Sequence, residues 1–249
     1  MPSFETLHRV RTAASLVQPR HLALRAFRCP MCGPSVLLRL SRETIGVRCL
    51  RCGASAATLS LARVLEDVRP GFRSEAVYEM SSRGPWFRFL RREVPRLTGS
   101  EYFDDLQPGA WRGGVQCQDV QRLTFADASF DVCTSTEVFE HVPDDARGFR
   151  EIRRVLRPGG IFVFTVPLSR AQATVERAAL RDGEVEHLLP PAYHGDRIRG
   201  RGKVLVYRDY GMDIVERLRR EGFAEAWIDG RFSAAFLGHG SAVVAARVR

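Results

Sequence analysis

The sequence predicts an α/β protein in which a parallel sheet, covered by helices on both faces, follows a small module organised by four cysteines. Three observations carry that expectation. Two Cys-x2-Cys pairs stand near the N-terminus, short apolar runs alternate with amphipathic stretches from Ala76 onward, and two apolar runs after a last helical stretch suit a closing antiparallel pair. With 249 residues, 45% apolar and 27% charged, the chain suits one large or two small domains and can build a core without staples. Collagen-like, disordered and coiled-coil classes are excluded on composition, and no window approaches the roughly 18–20 uncharged apolar residues of a membrane span. Residues 1–27 carry Arg9, Arg11, Arg20 and Arg25 with no uninterrupted apolar stretch. They are expected to form a basic amphipathic helix rather than a secretory signal, which places the protein in the cytoplasm.

The first module is expected over residues 28–56. Cys29 and Cys32 form one pair and Cys49 and Cys52 the other, with 16 residues between them. Two residues between thiolates let both sulfurs face one point from a tight turn, and two such knuckles supply the four-sulfur shell that structural zinc prefers. Gly33 and Gly53 follow the pairs, where a knuckle needs positive φ. Val36–Leu40 and Thr44–Arg48 alternate well enough for two strands, which makes a zinc ribbon. Two disulfides are the alternative, disfavoured without a secretory signal. The metal is expected to stabilise the ribbon alone, so that Cys49→Ser would leave the rest of the fold intact. Cys117 and Cys133 lie in apolar runs and are expected in the core.

A linker helix is expected over 57–75, and the main domain over 76–249. Its strands are expected at Ala76–Glu79, Leu97–Glu101, Val115–Val120, Phe130–Ser135 and Ile161–Val166, with helices between most of them. The clearest helix runs from Asp144 to Leu156: acids open it, Phe149, Ile152, Val155 and Leu156 form its apolar face, and Pro158-Gly159-Gly160 ends it. Met212–Arg220 is the last helix, before Phe223–Ile228 and Ala242–Ala246. The stretch 168–210 is too long for a simple connection and reads as an insertion. Its His187-Leu-Leu-Pro-Pro-Ala-Tyr193-His194 run, with Arg197, Arg199, Arg201 and Lys203, suggests a rigid lid over the carboxyl ends of the strands, where open sheets bind ligands.

The run Phe-Asp-Val-Cys-Thr-Ser-Thr-Glu-Val-Phe-Glu-His-Val-Pro-Asp from Phe130, with Glu-Ile-Arg-Arg-Val-Leu-Arg-Pro-Gly-Gly-Ile-Phe-Val-Phe-Thr-Val-Pro from Glu151, closely resembles the fourth and fifth strands of class I S-adenosylmethionine-dependent methyltransferases with a type 11-like domain. The resemblance covers about 170 residues and implies a Rossmann-like sheet of seven strands. It also implies the cofactor site: Glu79, Ser81 and Gly84 after the first strand, Glu101 and Tyr102 after the second, Asp119 and Val120 after the third, Ser135 and Thr136 at the fourth. Glu101 would bind both ribose hydroxyls, since a carboxylate accepts two hydrogen bonds from a cis diol, and Asp119 would meet the adenine amino group. One departure stands out. The family's glycine-rich first loop is Met80-Ser-Ser-Arg-Gly84-Pro here, with one glycine left.

Methyl transfer from a sulfonium is an in-line displacement, so the protein positions the acceptor and removes its proton. His141, His194 and Tyr193 are the acceptor-side candidates. Glu137, Glu140 and His141 share a spacing that, in ubiquinone-pathway O-methyltransferases, holds a divalent ion; a structural role for them is the expectation here. The implied activity is methyl transfer to an O or N atom of a small-molecule or sugar-type acceptor. Two alternatives stay open: an RNA methyltransferase, and an inactive binding protein whose altered loop no longer holds cofactor. The RNA reading rests on charge, because residues 1–76 hold 12 arginines against 5 acids, whereas 77–249 hold 26 basic against 24 acidic residues.

Overall fold

A computed structural model describes residues 18–42, 46–196 and 202–249. The ribbon is a three-stranded antiparallel sheet of β1 (Ala23–Cys29), β2 (Gly33–Arg39) and β3 (Val47–Cys49). The N-terminal helix expected over 1–27 falls partly outside the described residues. Where the chain is described, Pro19–His21 is a single 3-10 turn and Ala23 already begins β1. Ala23–Cys29 pairs residue for residue with β2, which satisfies a backbone that a helix would have satisfied internally. Of the strand expected at Thr44–Arg48, Thr44 and Ile45 lie outside the described residues, and β3 begins at Val47. Gly33 and Gly53 adopt φ of +78° and +77°, the left-handed conformation the knuckles require.

Helix α1 (Ala56–Val68) starts where Ser55 caps it by accepting a hydrogen bond from the Thr58 amide at 3.2 Å. Leu59, Leu61, Val64 and Leu65 are fully buried, each worth roughly 1.5–3 kcal/mol over an exposed position. The main sheet then forms from β4 (Ala76–Glu79), β5 (Arg96–Glu101), β6 (Trp111–Arg112), β7 (Val115–Cys117), β8 (Phe130–Thr136), β9 (Leu156–Thr165), β16 (Glu225–Asp229) and β17 (Val243–Arg247), in the order β16-β17-β9-β8-β4-β5-β7-β6. β9, β8, β4, β5 and β7 are mutually parallel, and β17 enters antiparallel between β9 and β16. Seven strands were expected; the eighth, β6, is a two-residue edge strand folded back on β7. The strand expected at Val115–Val120 stops at Cys117, because Asp119 turns the chain into a bridge with Arg122.

Alternate residues of each strand face opposite layers. One layer is α1 and α2 (Gly84–Glu93), the other α3 (Asp145–Val155) and α4 (Ile214–Arg220). Val77, Val132, Ile161, Val163 and Ala245 pack with the first pair, and Tyr78, Cys133, Phe162, Phe164 and Ala246 with the second. No helix stands between β5 and β7 or between β7 and β8. Helix α3 opens on Asp144, whose side chain accepts from the Arg147 amide at 2.9 Å, and ends at Val155. Pro158-Gly159-Gly160 therefore lies inside β9, at an irregularity opposite Phe130–Val132. A Cβ on Gly160 would stand 2.7 Å from the Arg157 carbonyl oxygen, so only glycine passes there.

The ribbon is not a separate body. Met31, Leu37, Val47, Cys29 and Cys49 belong to the same apolar cluster as α1, Trp86, Phe89 and the sheet residues Val77 and Val163. The expected ribbon and the main domain therefore share one apolar core through α1. Among the described residues no helix is long and apolar enough to cross a membrane.

Candidate active site and metal centres

The strand order reverses at β4, which has β5 on one side and β8 on the other, and the crevice outside the carboxyl ends there is where open sheets bind ligands. Glu79 ends β4 and is 2% exposed. The Thr134 hydroxyl donates to its carboxylate, and the Trp86 indole N–H donates to that hydroxyl at 3.2 Å. Burial, with the nearby Glu101 carboxylate adding to it, pushes Glu79 up to about 8. Glu101 ends β5 and is also buried. Its Oε1 accepts from the Ser82 amide at 2.8 Å and from the Ser82 and Ser81 hydroxyls at 2.9 and 3.2 Å. Serines thus stand where the resemblance implies glycines, and they close the loop onto that carboxylate. Asp119 turns its Oδ1 toward the Gln121 amide at 2.9 Å, with Val120 beside it partly buried. The Ser135 and Thr136 hydroxyls end β8, and Thr165 ends β9; all three are buried without a hydrogen-bond partner. Orphaned strand-end hydroxyls beside three acids are a donor set that fits a polar cofactor.

The turn after β8 carries the second cluster. Glu137 adopts φ +55°, and its carboxyl is pushed up to about 7 by burial and by Glu140. A 3-10 turn, Phe139–His141, then buries Glu140 to 1% exposure, with neither carboxylate oxygen receiving a hydrogen bond. His141 Nδ1 lies 2.7 Å from the Leu205 carbonyl oxygen, and its Nε2 lies 3.2 Å from His194 Nδ1. Glu140 Oε1 is 3.6 Å from His141 Nε2 and 3.5 Å from His194 Nδ1, and it holds the His194 imidazole above its ordinary value.

The insertion delivers His194. It consists of short antiparallel pairs: β10 (Val175–Glu176) with β15 (Arg208–Asp209), β11 (Ala178–Arg181) with β12 (Glu184–His187), and β13 (Tyr193–Asp196) with β14 (Gly202–Leu205). Arg208 anchors it. This side chain is 3% exposed and donates to the carbonyls of Phe139, Val142 and Pro143 and to Glu176. Arg217 pairs with Asp145 at 2.7 Å and with Glu176 at 3.0 Å, and the Tyr210 hydroxyl donates to Asp145 at 2.8 Å. Buried arginine at a carbonyl-rich turn lets one guanidinium satisfy several acceptors at once.

The four ribbon thiols also converge. Cys29 and Cys52 sulfurs are 3.8 Å apart and Cys32 and Cys49 sulfurs 3.6 Å. A tetrahedron with metal–sulfur distances of about 2.3 Å has edges of about 3.8 Å, so the donor set fits zinc. Arg51, Arg88 and Arg92 donate to the knuckle carbonyls of Cys32, Cys52 and Met31 at 2.7, 3.3 and 2.9 Å.

Residues 84–164 match a family described as a methyltransferase domain. An uncharacterized methyltransferase from Mycobacterium sp. (strain KMS) is 34% identical over 114 residues, 46% of this chain and 43% of that protein. A demethylmenaquinone methyltransferase from the same strain is 43% identical over 65 residues, 25% of this chain and 28% of that protein. An S-adenosylmethionine dependent methyltransferase from Mesorhizobium loti superposes with a TM-score of 0.47 at 19% identity, covering 76% of this chain and 97% of that one. The chain spans less than half the length of the curated relatives it matches. Residues 84–164 are thus similar to a methyltransferase domain, and they lie within the mixed eight-stranded α/β sheet described above.

Glu79, Ser81, Glu101, Asp119, Ser135 and Thr136 all lie at or just beyond the strand ends, with Gly84 opening α2, and His141 meets His194. Tyr102 is exposed beyond Glu101. Tyr193 does not join the histidines: it precedes His194 on β13, so the pleat turns it to the other face, where it is half exposed with Lys203 about its ring. Arg197, Arg199 and Arg201 lie outside the described residues. Sequence reasoning missed the Arg208–Glu176–Asp145–Arg217 network and the ribbon-binding arginines of α2. Arginine is so abundant here that no single one signals its partner.

Proposed function

We propose that the protein is an S-adenosylmethionine-dependent methyltransferase acting on an O or N atom of a small-molecule or sugar-type acceptor. The observation that carries this reading is the matched segment 84–164, which supplies β5, β7 and β8 and with them Glu101, Asp119, Ser135 and Thr136 around the switch point. When bound, the cofactor supplies an electrophilic methyl group on a sulfonium. Glu101 would hold the ribose, Asp119 the adenine, and the Ser135 and Thr136 hydroxyls would find the partners they lack. Glu79, fixed through Thr134 and Trp86, would face the amino-acid end. His141 and His194, backed by Glu140, stand at the end of β8 where an acceptor's proton would leave.

The basic ribbon weighs less for RNA once its contacts are counted as chemistry. Arg25, Arg39, Arg51 and Arg63 donate to backbone carbonyls of the protein itself. Guanidinium groups so used bind phosphate less readily, which favours a small acceptor.

Calorimetric titration with S-adenosylhomocysteine tests the reading. Wild type should bind, and Glu101→Ala should weaken binding by about tenfold or more, since a hydrogen bond to a charged group is worth about 1.5–3 kcal/mol. Asp119→Ala should be milder. Absence of binding to wild type would leave the inactive binding protein as the correct reading.

A further inference from the structure

The geometry points to a site for one divalent transition-metal ion formed by Glu140, His141 and His194, distinct from the four-cysteine site of the ribbon. No local spacing in the sequence groups His194 with Glu140 and His141, since 53 positions separate the two histidines. They meet because β13 of the insertion lies against the turn that follows β8.

Three features of the cluster carry the assignment. The donor atoms Glu140 Oε1, His141 Nε2 and His194 Nδ1 are separated by 3.2, 3.5 and 3.6 Å. An ion about 2.0–2.2 Å from each of three nitrogen or oxygen donors, at tetrahedral or octahedral angles, sets them about 2.8–3.6 Å apart. The triangle already has that size. Next, Glu140 is 1% exposed and neither of its oxygens receives a hydrogen bond. A hydrogen bond between the two imidazoles engages the histidines but gives this buried carboxylate no donor, which is costly; a cation between the three ligates it directly. Finally, His141 Nδ1 is engaged by the Leu205 carbonyl at 2.7 Å, which directs the ring's other nitrogen to the cluster. That outer hydrogen bond is how metal-bound imidazoles are oriented.

The ligand types choose the metal. Two imidazoles and one carboxylate suit zinc, iron, cobalt or manganese, whereas magnesium and calcium prefer an all-oxygen shell. Glu137, which sequence spacing groups with Glu140 and His141, stands outside the converging set. His194 is 44% exposed along its side chain, so one side of the site is open to a further ligand. On the methyltransferase reading, that ligand is an acceptor hydroxyl, which gives its proton up more readily when bound to the ion; the acceptor is then an oxygen compound rather than an amine.

The metal site is testable without turnover. Full-length protein with its ribbon zinc loaded is titrated with Co2+, following visible absorption and calorimetry. Wild type should take up one further equivalent whose spectrum lacks the thiolate-to-cobalt bands of a cysteine site, and millimolar Mg2+ should not displace it. His194→Ala removes an exposed side chain and should weaken Co2+ binding at least tenfold; Glu140→Gln should do the same, and Glu137→Gln should change it by no more than a few-fold. S-adenosylhomocysteine affinity should stay within twofold in His194→Ala, so that loss of the ion is separable from loss of the cofactor site. No further equivalent in wild type, displacement by Mg2+, or His194→Ala binding like wild type would each overturn the assignment. Loss in Glu137→Gln with His194→Ala unaffected would overturn it too. Failure to bind S-adenosylhomocysteine would count against the methyltransferase reading alone.

Discussion

Asp145 shows how much one buried side chain can hold. It takes Arg217 through three hydrogen bonds and the Tyr210 hydroxyl through a fourth, and Arg208 stands 3.7 Å away. Removing one partner of a buried charged set costs about 3–5 kcal/mol, because the others stay buried without compensation. Asp145→Asn should therefore lower the unfolding free energy by about that amount in urea denaturation, and a change under 1 kcal/mol would show that the network contributes little. Glu79 gives a pH-dependent prediction of opposite character. Its folded carboxyl keeps its proton up to about pH 8, whereas the unfolded one loses it near its ordinary value. The folded state then binds more protons in between, so stability falls as pH rises from about 5 to 8, by at most ~1.4 kcal/mol per pH unit. Glu79→Gln should flatten that slope in denaturation curves recorded across the interval.

Helix α2 links two parts of the molecule that the sequence presents as unrelated. Its first residues, Gly84 and Pro85, follow the Ser81–Ser82 turn that closes on Glu101, and its Arg88 and Arg92 reach the carbonyls of both cysteine knuckles. The ribbon thus braces the helix that follows the Ser81–Ser82 turn. Stripping the ribbon's metal with a strong chelator should raise the dissociation constant for S-adenosylhomocysteine several-fold before the sheet unfolds. Unchanged affinity in the stripped but folded protein would show that α2 holds its position without the knuckles. The insertion is anchored differently, by Arg208 at its last strand and by Thr174, whose amide and hydroxyl bond Asp213 at 2.8 and 2.6 Å. Its β11–β12 hairpin turns on Asp182-Gly183 and projects exposed Leu180 and Val185 away from the core.

For the whole molecule, the shared core predicts that the ribbon, α1 and the sheet unfold together. Trp86, 3% exposed, lies in the cluster that also contains Leu37, Val47 and the sheet residues Val132 and Val243. Cys49→Ser should consequently lower a single thermal transition, read from near-UV circular dichroism of the buried aromatic residues and from far-UV signal alike. Two separate transitions, with the sheet melting as in wild type, would show that the ribbon folds apart from the sheet.

The α/β class, the parallel core of the sheet and the four-sulfur shell were legible in the chain itself, because each depends on local repetition. Strand runs, the capped helix at Asp145–Val155 and paired cysteines leave patterns over a few residues. The acids Glu79, Glu101 and Asp119 were named from the family resemblance; Glu79 and Glu101 end β4 and β5, and Asp119 lies two residues beyond β7. The tertiary structure alone decided what stands together across long separations. It turned residues from Ala23 into a strand by giving them β2 as a partner, merged the ribbon with the sheet through α1, closed Ser81 and Ser82 onto Glu101, and set His194 against His141 while turning Tyr193 away. Such contacts depend on packing between elements far apart in sequence, and the number of arginines able to bridge them leaves no local pattern that selects Arg208, Arg217 or Arg92 beforehand.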